Sequence, residues 1–260
     1  MALLHVDFFS DVLGMCMQMD VILPEKTRGQ IGMEGKVNSG KIKTLYLLHG
    51  MSDDHTIWQR RTSIERYAAE KGIAVVMPTT HLGWYTDMHI GYNYFTFITE
   101  ELPAICRNFF PAMSDKREDN FVAGLSMGGY GALKCGLRAS HVFSKCASLS
   151  GAVDAVDVCS KSDGNDLWFN IFGPKEDVEG SFNDLFAAAE ELAPADRPDV
   201  YMWCGTEDFL HHQNVKMNAH LTKLGYKLTY EQSPGDHQWK YWDEKIQTVL
   251  DWMIPAKEVK

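Results

Sequence analysis

The chain has 260 residues, of which 45% are hydrophobic and 23% charged, and its formal net charge at pH 7 is −10. A chain of this length can bury a large core, and we expect a single domain over residues 1–260. The acidic balance leaves no basic stripe to neutralise phosphates, which argues against a nucleic-acid partner, and no apolar run is long enough to span a bilayer.

Apolar runs suited to β-strands alternate with helical patterns along the chain. Residues 6–10 and 15–23 predict a leading antiparallel pair with a turn at Gly14, and the polar, glycine-rich residues 29–41 predict a surface loop. Further strands are predicted at 44–49, 73–77, 121–125, 145–150, 200–203 and 227–231. Helices are predicted at 57–71, ending at Gly72, at 92–110, with a kink at Pro103, and at 241–253. Strands joined by crossover helices indicate an α/β fold with a mainly parallel sheet.

Residues 154–192 interrupt this alternation. They contain no strand pattern, several charges and five aromatic side chains at Trp168, Phe169, Phe172, Phe182 and Phe186. We expect a short helical insertion over the carboxyl edge of the sheet, where ligands of open α/β folds bind.

The most informative motif is the run Gly-Leu-Ser-Met-Gly at residues 124–128. It follows the apolar residues 120–123 and precedes a helix-like segment at 129–134. A strand, a sharp turn and a helix around G-x-S-x-G are typical of a nucleophile elbow, whose serine is strained and exposes its hydroxyl. Glycines flank the serine because the strand and the helix approach closely there. We therefore expect Ser126 to be a nucleophile.

A serine hydroxyl needs a base to remove its proton and an acid to orient that base. After a nucleophile elbow the acid precedes the histidine, and both lie in loops past strands. Asp208 and its rival Glu207 follow the strand predicted to end at residue 203. His237 follows the last predicted strand, and the adjacent Asp236 is poorly placed to orient it. The other histidines after the motif have less suitable positions: His141, His211, His212 and His220.

Acyl transfer also requires hydrogen-bond donors for the oxyanion that develops on the attacked carbonyl. One predicted donor is the backbone N–H of Met127, directly after the nucleophile. The other comes from the loop after an early strand, where Gly50 makes the turn and the N–H of Met51 is the expected donor. His49 precedes the nucleophile, which is the wrong side for a base, so we interpret it as a packing residue.

Metal-assisted hydrolysis is a second mechanism that the side chains suggest. Neither group of candidate ligands has a recognised metal-binding spacing. The groups are His81, Asp87 and His89, and Asp208, His211 and His212. We therefore expect no metal and no other cofactor.

Four segments resemble the esterase D-type branch of the α/β-hydrolases: residues 47–51 (LLHGM), 124–132 (GLSMGGYGA), 204–208 (CGTED) and 235–239 (GDHQW). Residues 83–87 and the helix around 100–103 also look like that branch, so the resemblance spans nearly the whole chain. Within the branch, the chain most resembles bacterial tributyrin and acetyl esterases, which are short-chain carboxylesterases. The resemblance implies the α/β-hydrolase fold, with a mostly parallel central sheet and helices on both faces. It also selects Ser126, Asp208 and His237 as the catalytic triad.

The same resemblance implies a cytoplasmic, often oligomeric serine hydrolase that cleaves short acyl esters without a cofactor. The expected substrates carry acetyl to butyryl groups, and acetylated or feruloylated sugars belong to the same class. The branch also includes S-formylglutathione hydrolases, whose usual strand-end Leu-Ser-Gly is Leu48-His49-Gly50 here. A thioesterase of that type and an acyltransferase of the same fold are the alternatives.

Aromatic side chains are concentrated in the segments expected to surround the site. We expect Trp84, Tyr85, Tyr92 and Trp168 to bind the substrate, because aromatic walls suit a small apolar acyl group or an aromatic one.

The cysteines and the N-terminal residues indicate the cellular compartment in which we expect the protein. Six scattered cysteines without a C-x-x-C motif indicate reduced thiols. The first ten residues lack the basic region and apolar core of a signal peptide. Both observations favour the cytoplasm.

Overall fold

The computed structural model describes residues 1–27, 29, 31–32, 35–37, 40–161 and 166–255. The predicted loop at 29–41 and the predicted insertion at 154–192 therefore lie partly outside the described residues, as does the end of the predicted 1–260 domain.

The central feature of the fold is a single eight-stranded sheet. Its strands are β1 (Ala2–Ser10), β2 (Met15–Leu23), β3 (Thr44–Leu48), β4 (Ala74–Pro78), β5 (Asn120–Leu125), β6 (Lys145–Leu149), β7 (Asp199–Gly205) and β8 (Leu228–Ser233). They lie in the order β1-β2-β4-β3-β5-β6-β7-β8. The β1–β2 and β2–β4 pairs are antiparallel, and the pairs from β4 through β8 are parallel. The predicted mostly parallel sheet and its leading hairpin are confirmed.

Helices cover both faces of this sheet. They are α1 (Ile57–Arg61), α2 (Ile64–Lys71), α3 (Tyr94–Thr96), α4 (Leu102–Phe109), α5 (Met127–Arg138), α6 (Ala155–Ser160), α7 (Asp166–Phe172), α8 (Leu185–Glu191), α9 (His211–Lys223) and α10 (Trp239–Met253). In β3, Leu45 and Leu47 belong to one core cluster with residues of α1, α2 and α10, whereas Tyr46 and Leu48 belong to another with residues of α5, α8 and α9. The two-residue period of a strand thus divides the core into two layers.

The single helix predicted at 57–71 is in fact two helices. Thr62 is extended, with φ −139° and ψ 174°, and it separates α1 from α2. Its hydroxyl donates to the Trp58 carbonyl and accepts the N–H of Ile64 at 3.1 Å. The side chain thereby competes with the helical hydrogen bonds of the backbone, which explains the break. The predicted end at Gly72 is confirmed, because Gly72 has φ 66°.

A π-helical turn lies just before Pro103, where the sequence predicts a kink. Residues Phe97–Glu101 are π-helical and join α3 to α4. Proline has no N–H for the carbonyl four residues earlier, and its ring crowds that carbonyl. A wider turn just before the proline relieves both problems.

The predicted insertion forms α6, α7 and α8 between β6 and β7, with no strand in its described residues. Its first helix is fastened to α9. Lys216 donates to Asp154 at 2.6 Å, and Gln213 donates to Asp157 at 2.6 Å. Partial desolvation opposes the charge on Asp157, but hydrogen bonds from Lys161, Gln213 and His212 lower its pKa to about 2. The Asp157 carboxylate therefore stays charged near neutral pH, and its hydrogen bond to α9 is kept.

A second attachment of the insertion is the buried ammonium group of Lys134 on α5. The residue is 0% exposed, and its Nζ donates to Thr86 at 2.8 Å and to Asn183 at 2.5 Å. The rings of Phe95 and Phe182 lie 5.2 and 5.5 Å from it. Burial lowers the pKa of Lys134 to about 7.

This pKa predicts an alkaline rise in stability. Between pH 7 and 10 the unfolded chain binds a proton on Lys134 that the folded protein has released, so the free energy of unfolding rises with pH in that window. We expect Lys134→Met to remove this rise, whose limiting slope is about 1.4 kcal/mol per pH unit. Urea unfolding of both proteins at pH 7, 8.5 and 10 measures it. Parallel pH dependences for the two proteins would contradict the assignment.

Candidate active site

The loops after the parallel strands meet at one edge of the sheet, and Ser126 lies at that edge between β5 and α5. Its backbone has φ 52° and ψ −117°, a conformation that residues other than glycine rarely adopt. Its N–H donates to the Leu149 carbonyl at 2.9 Å. A Cβ on Gly128 would lie 2.6 Å from the His49 carbonyl oxygen, and one on Gly124 would collide with the Gly128 backbone. The predicted elbow and its need for flanking glycines are both present.

The three predicted triad residues form a continuous relay. The Ser126 hydroxyl lies 3.0 Å from Nε2 of His237, and Nδ1 of His237 lies 2.8 Å from Oδ2 of Asp208. Because Nδ1–H donates to the carboxylate, Nε2 is free to accept the serine proton. The acid and the base come from the loops after β7 and β8, as the chain order predicts.

Asp208 is held as a carboxylate in a buried position. Its side chain is 0% exposed. Burial alone raises its pKa, but hydrogen bonds from His237, the Leu210 N–H and the Ser150 hydroxyl lower the pKa below its usual value. Ser150 also accepts a hydrogen bond from Nε1 of Trp242 at 3.2 Å. Sequence patterns did not identify Ser150, because its role depends on a contact between β6 and β7 loops.

The rival acid Glu207 performs a different task. Its carboxylate accepts the N–H of Gly235, and its own N–H donates to the Gly235 carbonyl at 3.0 Å. This pair of bonds joins the loop that carries Asp208 to the loop that carries His237. Glu207 therefore fixes these two loops relative to each other without being a member of the relay.

Two aromatic rings hold the imidazole of His237 in place. The ring of Phe209 lies 4.6 Å from it, and the ring of Trp242 lies 4.8 Å away with its plane at 84°. Phe209 is 68% exposed, so it covers the histidine on the solvent side. The position of Phe209 next to the acid was the only sequence signal for this contact.

Both predicted oxyanion donors are free to bind a ligand. Within the described residues, neither the N–H of Met51 nor that of Met127 donates to a protein acceptor. Met127 is the first residue of the twelve-residue helix α5, whose dipole places partial positive charge at this end. A negative oxygen near Ser126 would be stabilised there.

The four aromatic residues predicted to bind substrate lie in different environments. The indole rings of Trp84 and Trp168 meet edge to face at 4.9 Å, which joins the loop after β4 to the insertion. Tyr92 is 49% exposed and packs on Tyr94. Tyr85 is 0% exposed, and its hydroxyl donates to the His49 carbonyl at 2.9 Å. A fully buried ring has no surface to offer a ligand, so Tyr85 supports the turn after β3.

The alternative metal ligands are occupied by other contacts. The carboxylate of Asp87 accepts the N–H and the hydroxyl of Thr96, and His212 lies 3.1 Å from Asp157. Across the described residues, no group of three or more histidine, cysteine, aspartate or glutamate side chains could hold a metal ion.

Residues 10–253 match the protein family described as "Putative esterase". The chain belongs to this esterase family. An acetyl esterase from Caldicellulosiruptor saccharolyticus is 31% identical over 99% of this chain and 100% of its own length.

Solved structures agree with this relationship. The Staphylococcus aureus fluorophosphonate-binding serine hydrolase FphF superimposes with a TM-score of 0.86 at 34% identity, covering 98% of this chain and 99% of its own. The S-formylglutathione hydrolase FrmB from the same species has a TM-score of 0.84 at 34% identity, covering 97% and 98%. The esterase is therefore a serine carboxylic ester hydrolase with the α/β-hydrolase fold. No helix among its described residues is long and apolar enough to cross a membrane.

Proposed function

We propose that the esterase hydrolyses short acyl esters, from acetyl to butyryl, through an acyl-enzyme on Ser126. The observation that carries this proposal is the unbroken relay in which Ser126, His237 and Asp208 are linked at 3.0 and 2.8 Å. The first distance allows the serine proton to pass to the imidazole without rearrangement, and the second lets the carboxylate hold the imidazole in the required tautomer.

Each member of the relay has one chemical task. Ser126 attacks the ester carbonyl while His237 takes its proton, and Asp208 stabilises the imidazolium that results. His237 then returns the proton to the leaving alcohol, and the acyl group stays on Ser126. His237 then takes a proton from a water molecule, which attacks the carbonyl of the acyl-enzyme. When the tetrahedral intermediate collapses, His237 returns the proton to the oxygen of Ser126, which releases the carboxylic acid and restores the serine.

The oxyanion of each tetrahedral intermediate is assigned to two backbone donors. The N–H groups of Met51 and Met127 have no protein acceptor within the described residues, which supports this role. Donors that are already oriented need no reorganisation during the reaction, and one such donor typically contributes about 10²- to 10³-fold to kcat.

Two observations support the preference for short acyl groups: the name of a related protein and a cluster of aromatic side chains. The relative that aligns with 99% of this chain is named acetyl esterase. Trp84, Trp168 and Phe172 pack on one another with ring centroids 4.9 to 6.3 Å apart. We assign Trp168 and the exposed Tyr92 to the wall of the substrate site, and Trp84, which is 3% exposed, to the layer that packs behind Trp168.

A thioesterase of the formylglutathione type is the second candidate. The FrmB structure, at 34% identity, favours it. The same relay would serve a thioester, because the attacked carbonyl and the oxyanion are alike in both reactions.

We propose a single domain that acts in the cytoplasm on a small ester, with no cofactor and no nucleic-acid partner, and that associates with copies of itself. The described cysteines are all free, and five of the six are buried, which fits a reducing compartment.

A substrate panel tests the proposed specificity. We expect kcat/KM to be highest on acetyl to butyryl esters and to fall on octanoyl and feruloyl esters and on S-formylglutathione, when all are measured with the same enzyme preparation. A fluorophosphonate should form an adduct that mass spectrometry locates on Ser126. A preference of more than about tenfold for the thioester would favour the second candidate, and an adduct on another residue would contradict the proposed mechanism.

A further inference from the structure

The turn after β3 carries one of the two proposed oxyanion donors, and its backbone is held by a neighbouring side chain. Nδ1 of His49 lies 2.7 Å from the Gly50 carbonyl oxygen. The N–H of Asp53 also points to that oxygen, at 3.3 Å. The Gly50 carbonyl therefore accepts hydrogen bonds from two donors.

The tautomer of His49 follows from its second ring nitrogen. The backbone N–H of Thr80 donates to Nε2 at 3.0 Å. A backbone N–H can only donate, so Nε2 must be the unprotonated nitrogen of the neutral ring. The proton is then on Nδ1, which donates to the Gly50 carbonyl. His49 is 1% exposed, and burial lowers its pKa to about 4, so the ring stays neutral near pH 7.

Peptide geometry carries this constraint to the next residue. The described peptide bonds are all trans, so the Gly50 carbonyl and the Met51 N–H point in opposite directions from one rigid plane. A donor that holds the carbonyl on one side thus directs the N–H to the other side. Without such a hold, the plane could rotate and turn the N–H away.

The turn that follows β3 has a strained backbone, and contacts from neighbouring residues hold it in one conformation. Ser52 has φ 66°, which is unfavourable for a residue with a side chain. Tyr85 donates to the His49 carbonyl at 2.9 Å, and a Cβ on Gly50 would lie 2.6 Å from Leu125 of the strand that leads to the nucleophile. The contacts around the turn stabilise this conformation against its strain.

We propose that His49 is a positioning residue, whose Nδ1–H fixes the Gly50–Met51 peptide so that the Met51 N–H points at the oxyanion. The proposal rests on the proposed function of Ser126. His49 then affects the rate of the reaction in addition to packing in the core.

Two substitutions separate this role from a structural one. His49→Asn keeps a donor near the position of Nδ1 but loses the acceptor for Thr80. His49→Gln keeps an acceptor near the position of Nε2 but loses the donor to Gly50. A purely structural histidine predicts that kcat follows the stability of each variant, whereas a positioning histidine predicts that kcat follows the donor to Gly50.

We expect His49→Gln to lower kcat on an acetyl ester about 10- to 100-fold, with KM changed less than about twofold, because the lost interaction belongs to the transition state. His49→Asn should stay within about fivefold of wild-type kcat, even where its melting temperature is the lower of the two. A trifluoromethyl ketone forms a tetrahedral adduct with an oxyanion, so its inhibition constant for His49→Gln should rise in proportion to the loss of kcat/KM.

His55 supplies the matched control. It lies in the same loop, and its Nδ1 contacts the Thr79 hydroxyl at 2.7 Å instead of the turn. His55→Gln should leave kcat within about twofold of wild type.

Equal kcat values for His49→Gln and wild type, or equal losses in the glutamine and asparagine variants, would overturn the role of His49. If His49→Gln does not fold, His49→Asn decides alone, and a loss above about 100-fold in that variant overturns the proposal. Failure of the wild-type protein to hydrolyse any short acyl ester would instead refute the proposed function.

Discussion

Ser126→Ala is expected to lower kcat on short acyl esters by about 10³-fold or more while the protein folds normally. The substitution removes the atom that forms the acyl-enzyme, and among the described residues the serine hydroxyl has no hydrogen-bond partner apart from His237. The oxyanion donors and the binding site remain, so a residual rate above that of water is expected. Steady-state kinetics on an acetyl ester, together with circular dichroism, measure both parts of this result.

Ser148 offers a control of the same residue type one strand away. Its hydroxyl is buried on β6 without a hydrogen-bond partner among the described residues. Ser148→Ala should therefore keep kcat and stability close to wild type, because no satisfied bond is lost. If Ser126→Ala retains near wild-type turnover, the nucleophile must be another group.

Asp208→Asn is expected to lower kcat by about 10⁴-fold at neutral pH. The amide cannot stabilise the imidazolium as a carboxylate does, and its NH₂ group favours the tautomer of His237 that carries the proton on Nε2. That tautomer cannot accept the proton of Ser126. The loss should appear in kcat on every ester of the panel, because the defect lies in the proton relay and not in substrate binding.

Asp236 provides the comparison for this result. It is adjacent to His237, and Oδ2 of its carboxylate accepts a hydrogen bond from Gln238 at 2.5 Å. Asp236→Asn should lose much less activity than Asp208→Asn, since the ring nitrogens of His237 are hydrogen-bonded to Asp208 and Ser126 and not to Asp236. Comparable losses in the two variants would mean that the acid has been assigned to the wrong loop.

Local sequence patterns were sufficient to find the strands and the order of the site residues. The apolar runs ended where the loops began, so Ser126, Asp208 and His237 could be assigned to loops at one sheet edge before any distance was known. The same reasoning failed at 57–71, where a threonine hydroxyl competes with the backbone and divides the helix. Periodicity detects which face of a helix is apolar, but it does not detect such a local bond.

The contacts of single side chains were beyond this reasoning. Tyr85 is predicted to bind substrate because it is aromatic and belongs to a segment expected to surround the site, yet its hydroxyl is directed to the His49 carbonyl. His49 was interpreted as packing, whereas its ring connects Thr80 to Gly50. Ser150 gave no recognisable pattern and Glu207 was recognised only as a rival for the catalytic acid, since their partners lie in loops after other strands.

The amino-acid sequence by itself determined the class of fold and the family resemblance, and that resemblance selected the three residues of the relay, because strand periodicity and a strained serine turn are properties of short segments. Only the tertiary structure decided which groups orient that relay and the turn opposite it. Such orientation depends on hydrogen bonds between residues tens of positions apart, such as that from Thr80 to His49, and the direction of a bond is set by the packing of the whole sheet and its loops.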